Sequence, residues 1–206
     1  MEKATITTLF LDIGGVLLSN GWGHEFRYLA AERFGLDVGE MEERHKVFYV
    51  VYEEGRMTLA EYLNHVVFYE ARDFTPDDFR MFMCSLTTPN DDMIDLIKGL
   101  KQKYGLKIVV VSNEARELNA YRIKTFSLHE FVDFFVSSCF VGVRKPDAAI
   151  YRLALDGAQV PTGEIVYIDD LLLFIEVAGE LGVRGIRHTD YATTAAALAK
   201  LGLSLP

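Results

Sequence analysis

The sequence predicts an α/β fold, a doubly wound, Rossmann-like parallel sheet interrupted once by an inserted all-α helical-bundle cap. Three observations predict it. Four short, nearly continuous apolar runs at 6–11, 108–111, 134–136 and 165–168 are rich in β-branched residues, as are strands buried on both faces of a parallel sheet. Segments with helical spacing at 93–104, 117–126, 148–155, 171–181 and 194–201 alternate with them, the pattern of strands joined by right-handed helical crossovers. Between 20 and 88 that alternation stops, and four helix-like stretches at 24–34, 40–52, 59–69 and 77–84 follow one another without a good strand.

Taken in order, the first run ends at Asp12 and passes into Ile13-Gly14-Gly15, a pair of residue types that tolerate a tight turn. The insert begins shortly after. Two of its helix starts are marked, because Thr58 with Glu61 and Thr75 with Asp78 have the spacing of a capping box. The expected organisation is therefore a core from 1–19 and 89–206 and a helical cap from 20–88. An insert placed directly after the first strand sits over the carboxyl ends of the strands, where a lid belongs.

Composition narrows the function classes. A formal net charge of -9 over 206 residues gives a mean field that repels polyanions, and no basic patch offsets it, so nucleic acid is not an expected partner. The apolar stretch at 5–18 is interrupted by Asp12 and is too short to span a bilayer, so no membrane is expected either. Cys84 and Cys139 are too few and too isolated for a disulfide framework or metal site, and a reducing, cytoplasmic setting is the default. Monomer and homodimer are both open.

Ligands of open α/β sheets bind outside the carboxyl ends of the strands. Polar residues stand at all four of these ends: Asp12-Ile13-Gly14-Gly15 after the first strand, Ser112-Asn113 after the second, Lys145-Pro146-Asp147 beyond the third, and Asp169-Asp170 after the fourth. Singly, each has an ordinary explanation as a turn or helix cap. Jointly they bring two acidic clusters, a hydroxyl and an ammonium to one small volume, which suits a phosphate with a divalent cation.

The chemistry assigns roles. A carboxylate attacking phosphorus splits one hard displacement into two easier ones, and Asp12, at the tip of the first and expectedly central strand, is the candidate nucleophile. Mg²⁺ takes one or two carboxylates plus substrate oxygens and water, so Asp12 and Asp170 are its expected ligands, with Asp169 acting directly or through water. Lys145 compensates charge, while Ser112 and backbone N–H groups near Gly14, Gly15 and Asn113 bind phosphoryl oxygens.

These segments resemble the four ordered motifs of the haloacid dehalogenase-like (HAD) hydrolase superfamily: residues 10–17 the nucleophile motif, 110–113 the second, 143–147 with Ile150 and Tyr151 the lysine motif, and 167–170 the acidic one. The resemblance spans about 5–189 and implies a subfamily I member with a helical cap, a magnesium cofactor, and a small phosphorylated metabolite as partner. It further implies that most phosphatase members carry a second aspartate, the general acid and base, two residues after the nucleophile. Here that position is Gly14, whose carbonyl can still ligate Mg²⁺ but which offers no proton donor. A few sugar-phosphate phosphatases of this branch are similar in this respect.

Three enzymatic explanations follow. The favoured one is a phosphatase whose leaving groups need little protonation, such as anomeric sugar phosphates or aryl phosphates. The alternatives are a 2-haloacid dehalogenase using Asp12, which leaves Asp169 and Asp170 unexplained, and a phosphonate-cleaving enzyme that would need a cap lysine, for which only Lys46 is available. A phosphate-binding regulatory protein with weak turnover is the non-enzymatic alternative. Substrate choice is expected from cap side chains. Trp22, His24 and Arg56 are the candidates, with Tyr49 and Tyr52 at helical i, i+3 spacing.

Overall fold

The computed structural model describes residues 5–205; residues 1–4 and 206 of the expected core lie outside it. Five parallel strands form one sheet in the order β3-β2-β1-β4-β5. They are β1 (Thr8–Leu11), β2 (Lys107–Ser112), β3 (Phe134–Ser137), β4 (Ile165–Asp169) and β5 (Arg184–Arg187). β1 is central, with Leu11 in register with Val110 on one side and Ile168 on the other. The chain builds outward from β1 through β2 to β3, then returns to the other flank for β4 and β5. The resulting crevice between β1 and β4 is the switch point at which such sheets bind ligands.

The apolar runs read as strands because they are covered on both faces. Leu9, Leu11, Ile108, Val110, Val166 and Ile168 pack into one layer with helices α5 (Asp91–Tyr104) and α10 (Tyr191–Lys200). The alternate residues Phe10, Val109, Val111, Ile165 and Tyr167 pack into the other with α8 (Ala148–Ala158) and α9 (Leu172–Glu180). This alternation is the period of two that a pleated strand imposes.

Between β1 and α5 stand α1 (His24–Phe34), α2 (Val38–Glu53), α3 (Leu59–Val66) and α4 (Pro76–Ser85). They share a core of their own around Tyr52, Tyr62, Leu63, Val66 and Phe79, with Ala115 the one buried member from the sheet-bearing part. Both capping boxes form: the Thr58 and Thr75 hydroxyls accept from the N–H groups of Glu61 and Asp78, whose carboxylates accept in return. After β2 comes α6 (Arg116–Thr125), and a single-turn helix α7 (Ser138–Val141) follows β3 directly.

The structure adds a strand that the apolar pattern does not reveal. β5 reads Arg-Gly-Ile-Arg, and only Ile186 in it is buried, because an edge strand covered on one side needs no continuous apolar run. It runs so close to α9 that a Cβ on Gly185 would stand 2.2 Å from Ile175 Cγ2. The helix expected over 59–69 stops at Val66, and the apolar pattern does not predict the short α7.

Candidate active site

The strand ends converge. Asp12 follows β1, its N–H donating to the Ile168 carbonyl at 3.0 Å, so its side chain emerges at the β1/β4 crevice. Its Oδ1 accepts from the Ile13 N–H at 2.8 Å, and its Oδ2 lies 3.0 Å from Lys145 Nζ. Lys145 Nζ also lies 2.6 Å from Asp169 Oδ2 and donates to the Tyr167 hydroxyl at 3.2 Å. Tyr167 in turn donates to the same Asp169 oxygen, and Asp169 Oδ1 accepts from the Leu171 N–H at 2.8 Å. Asp169 is thus an anchor for the lysine as well as a carboxylate of the site.

One carboxylate oxygen each from Asp12, Asp169 and Asp170 lie within 4.8 Å of one another. Asp12 and Asp169 are buried and Asp170 is half-buried. Burial pushes the Asp12 carboxyl from 3.8 up to about 6; Lys145 opposes the rise and Asp169 adds to it, while Ser112 donates to the carboxylate. Asp170 is raised by burial and then by the charge of Asp169. Burial alone would lower Lys145, but the two carboxylates outweigh it and hold the ammonium charged.

The glycines after Asp12 do two different things. Gly15 has a left-handed backbone (φ 70°), and a Cβ there would stand 2.5 Å from Asp170 Oδ2, so this residue keeps the space that Asp170 occupies. Its N–H donates to the Leu18 carbonyl at 2.8 Å, so the amide expected to bind phosphate is already engaged in the turn. Gly14 faces the cleft, and a Cβ there would meet nothing nearer than Asn20 Oδ1 at 3.4 Å. A Cβ at this position therefore meets only ordinary van der Waals contacts.

The Asn113 side chain has a task of its own. It clasps the Lys145 backbone, accepting from the N–H at 2.7 Å and donating to the carbonyl at 2.9 Å, and so sets the lysine loop. Asp147 is a helix cap, accepting from the Ala149 N–H at 2.8 Å.

Above these residues lies a cleft of about 310 Å³ that Asp12, Gly14, Ser112, Asn113, Lys145 and Asp170 line from the sheet side. Trp22, His24, Tyr49 and Tyr52 line it from the insert, whereas Arg56 stands apart, exposed and 2.8 Å from Glu54. Arg56 follows the end of α2, where Gly55 packs so closely on α7 that a Cβ would lie 2.3 Å from the Cys139 carbonyl. Glu53, one helical turn before it, faces inward instead.

Sequence reasoning missed several lining residues: His45, Glu53, Glu114, Arg144 and Phe174. Arg144 pairs with Glu53 at 2.7 Å and lies 5.0 Å over the Tyr49 ring; burial raises the Glu53 carboxyl while Arg144 opposes the rise. Buried Glu114 pairs with Arg122, which also donates to the Ser19 carbonyl and so ties α6 to the loop after β1. Burial pushes Glu114 up to about 7 against the pull of Arg122. A signal for part of this set was present, since His45, Tyr49, Tyr52 and Glu53 recur at the spacing of one helical face.

Comparison with known proteins identifies the frame. The model of the haloacid dehalogenase-like hydrolase family matches residues 6–178. A bifunctional epoxide hydrolase 2 from Sus scrofa is 32% identical over 109 residues, 50% of this chain and 20% of that protein. The chain thus spans about a fifth of the length of that relative. A flavin mononucleotide hydrolase 1 from Arabidopsis thaliana is 25% identical over 173 residues, 84% of this chain and 69% of that one. Among solved structures, a HAD family enzyme from Bacteroides thetaiotaomicron in a magnesium complex aligns with a TM-score of 0.76 at 21% identity, covering 90% of this chain and 94% of that one. At that identity the likeness is one of fold.

Proposed function

The chain belongs to the haloacid dehalogenase-like hydrolase family, and on that premise we propose that it is a Mg²⁺-dependent phosphatase that hydrolyses small phosphate monoesters through an aspartyl phosphate on Asp12. One observation carries the reading: three carboxylates approach within 4.8 Å, and the ammonium of Lys145 pairs with two of them, Asp12 and Asp169. That arrangement leaves negative charge in excess in a buried place, which a divalent cation offsets. The residues fit such an ion, offering hard oxygen donors, with Asp170 seated in space that a side chain at Gly15 would fill. Asp12, Asp169, Asp170 and the Gly14 carbonyl are its proposed ligands. When bound, Mg²⁺ would neutralise charge on the phosphoryl oxygens and on the attacking carboxylate.

The protein's own groups then account for the two displacements. The Asp12 carboxylate attacks phosphorus, the phosphorus–oxygen ester bond breaks, and the alcohol departs with a proton from water. Water next attacks the same phosphorus, releasing inorganic phosphate and restoring the carboxylate. Lys145 stays protonated throughout and, with the Ser112 hydroxyl, holds phosphoryl oxygens. Because position 14 supplies no acid, esters of readily departing alcohols are favoured. Helices α1–α4 serve as the lid, closing the cleft against water and presenting Trp22 and Tyr49 to the leaving group. A metal-free attack on a 2-haloacid would bring one more carboxylate into the acidic cluster and leave Asp170 without a task.

Hydrolysis of p-nitrophenyl phosphate tests the proposal. Activity should require Mg²⁺, vanish on chelation and be absent in Asp12→Asn. A rate indifferent to chelation or to that substitution would refute it.

A further inference from the structure

The positive charges around the cleft are already spoken for. Arg27 is buried and gives Nε and Nη2 to the two carboxylate oxygens of Glu42 at 2.7 and 3.0 Å. Arg144 holds Glu53 Oε2 through Nε at 2.9 Å and Nη2 at 2.7 Å. Lys145 lies between Asp12 and Asp169. Among the described residues, every arginine and lysine lining the cleft thus has a carboxylate partner. The two lining histidines are engaged as well. His24 Nδ1 sits 3.1 Å from Glu42, and His45 shares a 2.8 Å hydrogen bond with the Tyr62 hydroxyl, while burial, and then Arg27, push its pKa down to about 4.

A second anionic group on a substrate would have to break one of these pairs or remain unpaired in a half-enclosed space, and both are costly. The walls invite something else. Trp22 and Phe174 line the cleft with aromatic side chains, suited to packing on a ring, while the Tyr49 ring already carries His45 at 5.2 Å and Arg144 at 5.0 Å. The cleft's 310 Å³ sits at the low end of the range of about 300–1,000 Å³ for ligand sites, enough for a phosphoryl group and one ring. Resting on the phosphatase reading above, we propose that the substrate is a monophosphate ester of an uncharged, single-ring alcohol, and that the Glu53–Arg144 and Arg27–Glu42 pairs exclude leaving groups bearing a carboxylate or second phosphate.

Two nearly isosteric esters that differ by one charge, 4-carbamoylphenyl phosphate and 4-carboxyphenyl phosphate, test this with Mg²⁺ at neutral pH. The amide should be preferred in kcat/KM by about 10-fold or more, the scale set by leaving a charge without a partner. Glu53→Gln releases Arg144 and should narrow the preference by accelerating the acid. The corresponding aryl phosphonates, titrated by calorimetry, should show the same order of affinity. Equal handling of acid and amide by the wild-type protein in both assays overturns the inference. No turnover of either ester with the binding preference intact would instead count against the phosphatase reading and support the charge-exclusion rule.

Discussion

The floor of the cleft and its roof are built on opposite plans. On the floor, Asp12, Ser112, Lys145 and Asp169 emerge from adjacent parallel strands or the loop beside them, are buried, and bond to one another. On the roof, Arg27 of α1 bonds within the insert to Glu42, and Glu53 of α2 bonds across to Arg144. The floor therefore concentrates an unbalanced negative charge that calls for a cation, whereas the roof cancels its charges pairwise. The difference teaches that one part of the cleft is organised to hold reacting atoms and the other to sort what is attached to them.

The largest effect that would sharpen this contrast comes from Lys145→Met. It leaves two buried carboxylates uncompensated, with an expected stability loss of about 3–5 kcal/mol, measured by urea denaturation. Phosphatase turnover should fall by about 10²–10³-fold in the same variant. Stability close to wild type would show that the floor's charges are not coupled as their distances imply.

Gly14→Asp probes the floor by addition. The position has room, with no atom nearer than 3.4 Å to the new Cβ. Installing a proton donor there should speed hydrolysis of alkyl phosphates by about 10²-fold while leaving p-nitrophenyl phosphate nearly unchanged, since only the basic alkoxide needs protonation. An equal change on both would mean that the leaving-group proton is not limiting.

The third effect is linkage between pH and the cation. The folded Asp12 carboxyl titrates at about 6 against 3.8 for the unconstrained group, so between these values the folded chain holds the proton more often than the unfolded one. The stabilisation is complete below 3.8 and is lost as pH rises through 6. Mg²⁺, which needs the ionised cluster, should restore it at the upper end, by about 2.7 kcal/mol at a hundredfold excess over Kd. Thermal midpoints with and without Mg²⁺ should therefore differ more at about pH 8 than at about pH 5; the opposite order would contradict the placement of the metal.

The smallest expected effect is on the roof. Arg56→Ala removes an exposed side chain paired only with Glu54 and should change stability by less than about 0.5 kcal/mol and leave KM unaltered. A large KM change would place this arginine in the substrate's path after all.

These two regions were not equally legible in the sequence. The floor could be read because each functional side chain directly follows a strand or lies in a loop fixed by one, so linear position determines spatial position. Asp12, Ser112, Lys145, Asp169 and Asp170 come together on that logic. The exception is local: the Gly15 N–H is engaged by the turn, which residue type alone does not disclose. On the roof, lining depends on how whole helices rotate against one another. Arg56, a candidate from the sequence, does not line the cleft, while Glu53 and His45 line it from the face of α2 that also bears Tyr49. The edge strand β5 escaped notice for a related reason, since burial on one side writes only Ile186 into its sequence.

The most direct test of the central claim is acid quenching of the wild-type protein during turnover of a phosphate ester with Mg²⁺, followed by mass spectrometric mapping of the phosphoryl group. The account predicts one phosphoryl group on Asp12, absent in Asp12→Asn. A phosphoryl group on any other side chain, with Asp12→Asn still turning over, would contradict it.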